Sequence, residues 1–308
     1  MTSTAGVAPV DPHPGGSTTR RGRRLTGYWL ILPAALWLAL FFVVPFFTLI
    51  STSLYDPTGS IETGYQVTGH VQNFADAFGQ YKQELGRSLL YAGIATLVCL
   101  VIGYVLAYAI AFKAGRYKNL MLVLVIAPFF TSFLLRTLSW KLILADDGFV
   151  VDFARQTHLI DLLQLLQLVD GERLLQTPFA VIAGLTYNFL PFMVLPLYAS
   201  LEKIDVRLIE ASSDLYASPA KGFFKVTWPL SLPGVVAGTL LTFIPAAGDF
   251  INAELLGSPN ERMVGNSIQS LFDIGDYAAA GALSVMLMAI IVALVLVWVR
   301  TSGTEDLV

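Results

Sequence analysis

The chain has 308 residues, 19 Lys plus Arg against 22 Asp plus Glu, and a net charge of −3. With 55% hydrophobic residues, 13% charged and a mean hydropathy of +0.66, it is more apolar than one or two soluble cores of this length require. That excludes an ordinary soluble domain, and no nucleic-acid partner is expected.

A helix crosses the hydrocarbon layer with roughly 20 apolar residues, and six stretches qualify, which makes this an all-α membrane protein of about six transmembrane helices. Residues 1–26 read as a disordered tail on the cytoplasmic side, rich in Gly, Ser, Thr and Pro. Arg20, Arg21, Arg23 and Arg24 then precede an apolar run. That order fits a signal peptide, and the arginine pair faintly resembles a twin-arginine signal. The run is about 22 residues and no small-x-small cleavage site follows it, so a retained first span over 28–49 is expected.

A transmembrane domain then occupies 27–300. Its second span is expected at 88–112, the third at 119–140 with Arg136 inside, and the fourth at 178–199. The fifth follows at 229–252 with Asp249 inside and the sixth at 278–299, leaving 301–308 as a cytoplasmic tail. Runs this continuously apolar fit helices and not alternating barrel strands. Prolines 33, 45, 128, 191, 196 and 245 fall in these spans and are expected to kink them.

Between spans, Asp56–Arg87 reads as a folded loop with short helical pieces. His158–Val169 reads as an amphipathic helix that lies at the membrane surface, meets a partner or caps the bundle. The single cysteine, Cys99, falls inside the second span and forms no CxxC motif. His13, His70 and His158 lie in the tail and loops without ligands at metal spacing, so neither a metal site nor a Ser-His-Asp site is expected. There is no G-x-x-x-x-G-K-[ST] loop and no G-x-G-x-x-G turn. No nucleotide cofactor is expected on this chain, and any ATP must be bound by another subunit.

Alternate loops carry 12 Lys and Arg on one side and six on the other. The positive-inside rule places both termini in the cytoplasm of a multi-pass plasma-membrane protein.

The connection 200–228 is long for a passive bundle. It is patterned as two short amphipathic helices, the first over Asp205–Leu215, with a turn at residues 216–219 and Pro219 in the first turn of the second. Pro229 and Pro233 are expected to interrupt the pattern before the fifth span. Phe223, Phe224 and Val226 would give an apolar face beside Lys221 and Lys225, the makeup of a helix that docks in a groove of another protein.

Glu210-Ala211-Ser212, then Tyr216, then Val226-Thr227-Trp228-Pro229 resembles the EAA loop of binding-protein-dependent ABC importer permeases, whose pattern is E-A-A, three residues, G, nine residues, I-x-L-P. Tyr216 stands at the Gly position and Trp228 at the Leu position. If that turn uses positive φ, tyrosine there costs about 1 kcal/mol or more, so a reshaped turn or an extended first helix is expected. Phe129–Thr137 and Phe243–Phe250, followed by Leu255-Leu256-Gly257 and Met263–Asn266, resemble the spermidine/putrescine-type branch, which commonly has Glu where Asp249 stands.

The resemblance implies the type I ABC importer transmembrane fold. It also implies a second, different permease, two cytoplasmic ATP-binding subunits and an extracytoplasmic solute-binding protein. Contact with the ATPase would fall to Glu210, Ala211, Ser212 and Asp214, with Tyr216, Pro219, Phe223 and Phe224 shaping the turn and the contact. Arg136 and Asp249, the charges placed within spans, should face the interior. They would either pair with each other, or Asp249 would line a path for a cationic solute. The solute implied is a polyamine; permeases for ferric iron or opines also resemble this branch, and an ion-coupled secondary transporter is the rival from another class.

Overall fold

The computed structural model describes residues 31–59, 62–169 and 171–301. The expected tail 1–26 lies outside these, as do residues 28–30 of the expected first span and residues 302–308 of the expected tail 301–308, whose first residue, Thr301, instead ends the last helix. The chain divides into two compact units, one through Thr48 and one from Leu49. In the first, helix α1 (Ile31–Ser53, continuing five residues into the second unit) carries a π-helical turn at Ala39–Val43, just before Pro45. Widening the turn there accommodates a proline that has no N–H to donate.

The second unit is built on three long helices: α2 (Gln72–Lys113), α7 (Pro178–Leu201) and α9 (Pro219–Ala247). The last long helix, α12 (Tyr277–Thr301), packs on α2. Together with α1 these are, among the described residues, five helices long and apolar enough to cross a membrane.

Two buried clusters tie α2, α7 and α9 together. One contains Tyr91, Ala95, Leu185, Phe189 and Ala246; the other contains Cys99, Tyr104, Met193, Leu197 and Val235. Cys99 is fully buried, its thiol donating to the Thr186 carbonyl at 3.3 Å.

The expected third span is not one helix. Helix α3 (Lys118–Ile126) passes through a 3₁₀ turn at Ala127–Phe130 and then meets α4 (Phe133–Ile143) at a bend of 95°. The cause is local. Pro128 opens the 3₁₀ turn, and both the amide and the hydroxyl of Thr131 bond to the Pro128 carbonyl at 3.1 and 2.7 Å. That closes the turn and sends Thr131 into an extended conformation, a side-chain alternative to helix continuation. The expected third span is therefore a pair of helices at an angle, neither of them long enough to cross a membrane alone.

Three other boundaries differ from expectation. The second span begins at Gln72, so much of the expected loop 56–87 is helical. Asn73 anchors that start by donating to the carbonyls of Ser53 and Tyr55 at 3.1 and 2.8 Å. Pro229 and Pro233 do not interrupt α9, which continues through both after a π-helical turn at Phe223–Thr227. The amphipathic segment after His158 is shorter than 158–169. Helix α5 (Phe149–Gln156) is followed by α6 (Leu159–Leu165), bounded by His158 and Gln167, both at φ 56°. Ile160 and Leu163 are buried with Leu144, Val151, Leu174 and Leu256, so this segment caps the bundle.

Candidate functional site

Two regions hold the residues singled out by the sequence. The first is a helical hairpin. Helix α8 (Val206–Asp214) starts at Asp205, whose carboxylate accepts from the Arg207 amide at 3.0 Å. The second arm opens at Ser218, whose hydroxyl accepts from the Lys221 amide, with Pro219 at the first helical position. Both are N-caps of the favoured residue types, so the hairpin is written in local sequence.

Between the arms Tyr216 adopts φ 55° and is 99% exposed. The left-handed turn is kept with tyrosine in it, neither reshaped nor avoided by a longer first helix. Among the described residues nothing packs against the ring to compensate for the strained backbone.

Glu210, Ala211 and Asp214 are exposed on the outer surface of α8. Ser212 is not part of that surface. Its hydroxyl donates to the Ile209 carbonyl at 2.7 Å, and a Cβ at Gly222 would lie 2.9 Å from it, so Ser212 faces the opposite arm and sets how closely the two approach. The expected shared face of Phe223 and Phe224 is also divided. Phe223 turns inward against Tyr104 and Trp228, at ring centroid distances of 5.5 and 6.4 Å, while Phe224 is 67% exposed. Nearby, Lys118 Nζ donates to Glu202 Oε1 at 2.6 Å and holds that carboxyl below its usual range.

The second region lies inside the bundle. Asp249 sits in the break between α9 and a short helix α10 (Ile251–Leu256), not within a span helix as expected. It is buried, and its Oδ1 accepts from the amide and the side-chain nitrogen of Asn252 at 2.8 and 3.1 Å. Asn252 Oδ1 in turn accepts from Asn188 Nδ2 at 3.0 Å, and Asn188 also donates to the Thr137 hydroxyl at 3.2 Å. One network thus joins the broken third span, the middle of α7 and the end of α9.

A Cβ at Gly184 would come within 2.8 Å of Asn252 Oδ1 and 2.5 Å of Leu256 Cδ1, so glycine is what lets α10 lie against α7. Beyond α10, Asn266 caps α11 (Val264–Asp273) and donates to the Phe250 carbonyl and to Glu254 Oε2 at 2.8 and 3.1 Å, holding the Asp249 segment from the other side.

Arg136 and Asp249 do not pair. Arg136 instead lies over the rings of Phe129 and Phe133, 5.5 and 5.6 Å from their centroids. Asn188, Asn252, Thr137 and Asn266 were not singled out by the sequence. The available signal was an amide inside an otherwise apolar run, as at Asn188, since such a group needs a partner there.

Residues 100–302 match the family described as binding-protein-dependent transport system inner membrane component. The chain belongs to this family. Members are permease subunits, and the all-helical bundle found here is the fold such a subunit needs.

The spermidine/putrescine transport system permease protein PotB of Haemophilus influenzae is 38% identical over 268 residues, covering 86% of this chain and 90% of that protein. PotB of Escherichia coli is 36% identical over 269 residues, covering 86% and 94%. The inner membrane ABC transporter permease protein YdcU of the same organism is 32% identical over 225 residues, covering 71% of each. Among solved structures, a bacterial ABC transporter involved in import of the acidic polysaccharide alginate superposes with a TM-score of 0.66 at 17% identity. The match covers 92% of this chain and 97% of that one, which establishes a shared fold.

Proposed function

We propose that this permease subunit translocates polyamines across the plasma membrane, with both termini in the cytoplasm, driven by two ATP-binding subunits. A second, different permease would complete the pathway, and an extracytoplasmic binding protein would deliver the solute. The observation that carries the coupling half of this reading is the exposed hairpin, with Glu210, Asp214, Tyr216 and Phe224 projecting from it. The polyamine assignment is supported by near full-length likeness to permeases named for spermidine and putrescine.

The geometry also supplies a route for force. The second arm of the hairpin is the beginning of α9, which runs 29 residues without a break, a rod of about 43 Å. It ends two residues before Asp249. Closure of an ATPase dimer around the hairpin would thus act directly on the segment that holds the buried carboxylate. Within such a pathway Asp249 would meet a cationic solute, and the amides of Asn188 and Asn252 would orient its oxygen atoms.

The test is uptake of labelled putrescine and spermidine into proteoliposomes holding the co-expressed complex, with ATP on the hairpin side and the binding protein on the other. Uptake that requires ATP and is competed only by polyamines supports the reading. ATP-driven uptake that ferric iron or an opine competes, and polyamines do not, overturns the substrate. Uptake without ATP overturns the mechanism in favour of an ion-coupled transporter.

A further inference from the structure

The pathway above leaves Arg136 without a role. Its Nε and Nη1 atoms are shielded from solvent and have no hydrogen-bond partner, and among the described residues no ion pair includes it. Aromatic faces offset part of the cost of an unpaired guanidinium, but a cation held inside a membrane bundle still calls for an anion. Asp249 is engaged by Asn252. The guanidinium borders an open cavity of about 350 Å³ lined by Thr131, Leu135, Ser139, Trp140 and Tyr187, so the missing group can approach from outside this chain.

Its depth says which kind of anion fits. Phe129 packs on Phe192 at 5.0 Å and Phe133 on Phe189 at 6.2 Å. Those two are the fifteenth and twelfth residues of the 24-residue α7, about 13 Å or more from either end of that helix. Held over the Phe129 and Phe133 rings, the guanidinium does not extend toward either boundary of a hydrocarbon layer roughly 30 Å thick. Lipid phosphates lie out of range. A polycationic solute would be repelled.

We propose that Arg136 is an interface residue whose guanidinium receives a carboxylate from a membrane span of the second permease, entering through the cavity beside Ser139 and Tyr187. This rests on the two-permease reading above. A carboxylate arriving through the cavity would make a charge-assisted hydrogen bond to the guanidinium, which helps to fix the register of the two subunits as well as joining them.

The experiment uses the full complex with a separately tagged second permease, in native membranes. A photoreactive benzoylphenylalanine at Ser139 is expected to form an adduct with the second permease at a segment carrying Asp or Glu. R136Q is expected to lower recovery of the second permease on the tagged chain by about tenfold or more. The thermal midpoint of the separately purified chain should be unchanged or raised, because the unpaired charge is gone.

Recovery of the second permease with R136Q at the wild-type ratio overturns the inference. An adduct confined to lipid or to residues 248–256 of this chain also overturns it, as does a lowered midpoint, which would make Arg136 a structural residue of this chain alone. If the wild-type chain itself brings down no second permease while still binding the ATPase, the two-permease reading fails first and this inference with it.

Discussion

The hairpin and the buried network solve opposite problems with similar residues. In the hairpin, Asp205, Ser212 and Ser218 bond to groups within three residues of themselves, and Glu210 and Asp214 are left exposed to meet something else. In the network, Thr137, Asn188 and Asn252 bond across separations of 51 and 64 residues and are almost completely buried. A locally built element keeps its shape without the rest of the protein and can serve as a handle. A network of distant residues exists only when the bundle is assembled, so it reports, and is changed by, the positions of the helices that hold it.

That contrast can be broken most forcefully at Asn252. Replacing it by Leu removes the side-chain donor to Asp249, leaving only the backbone amide, and the acceptor for Asn188. The expected cost is roughly 2–4 kcal/mol from polar groups left buried without partners, read as a lower thermal midpoint together with loss of uptake. Gly184→Ala comes next. Its new methyl collides with Asn252 and Leu256, an overpacking cost of about 1–3 kcal/mol. Uptake should fall while ATP hydrolysis by the complex persists, and normal uptake would show that α10 shifts freely.

In the hairpin, Glu210→Ala should leave the thermal midpoint of this chain unchanged, since the carboxylate is exposed. It should lower uptake at least severalfold while ATP hydrolysis continues; unchanged uptake would remove Glu210 from the contact. Tyr216→Gly has the smallest expected effect on stability. Relief of the left-handed strain, about 1 kcal/mol, is nearly cancelled by the greater freedom of glycine in the unfolded chain. Any loss of coupling in that variant would therefore come from the missing phenol ring and not from a damaged turn.

Much of this was legible in the sequence because the signals were local. The hairpin arms follow from Asp205, Ser218 and Pro219, and the fourth and sixth spans from uninterrupted apolar runs close to the observed Pro178–Leu201 and Tyr277–Thr301. The broken third span was not legible, because its composition is that of a continuous helix and the break depends on a hydroxyl returning to a carbonyl three residues earlier. The π turns before Pro45 and around Pro229 were missed for a related reason. Proline announces a missing donor but not how the helix absorbs it. The inward turn of Phe223 and Ser212 depends on α2 and on the opposite arm, which hydrophobic periodicity along one strip of sequence does not reveal.

The burial of Cys99 has a practical consequence. With one cysteine in 308 residues, sealed between α2 and α7 with its thiol engaged by a backbone carbonyl, the natural chain is already silent toward water-soluble maleimides and spin labels. A single cysteine introduced at the hairpin tip or along the pathway would supply the sole reactive thiol. Probes of hairpin motion during turnover can therefore be placed one at a time without first rebuilding the core around a cysteine-free background.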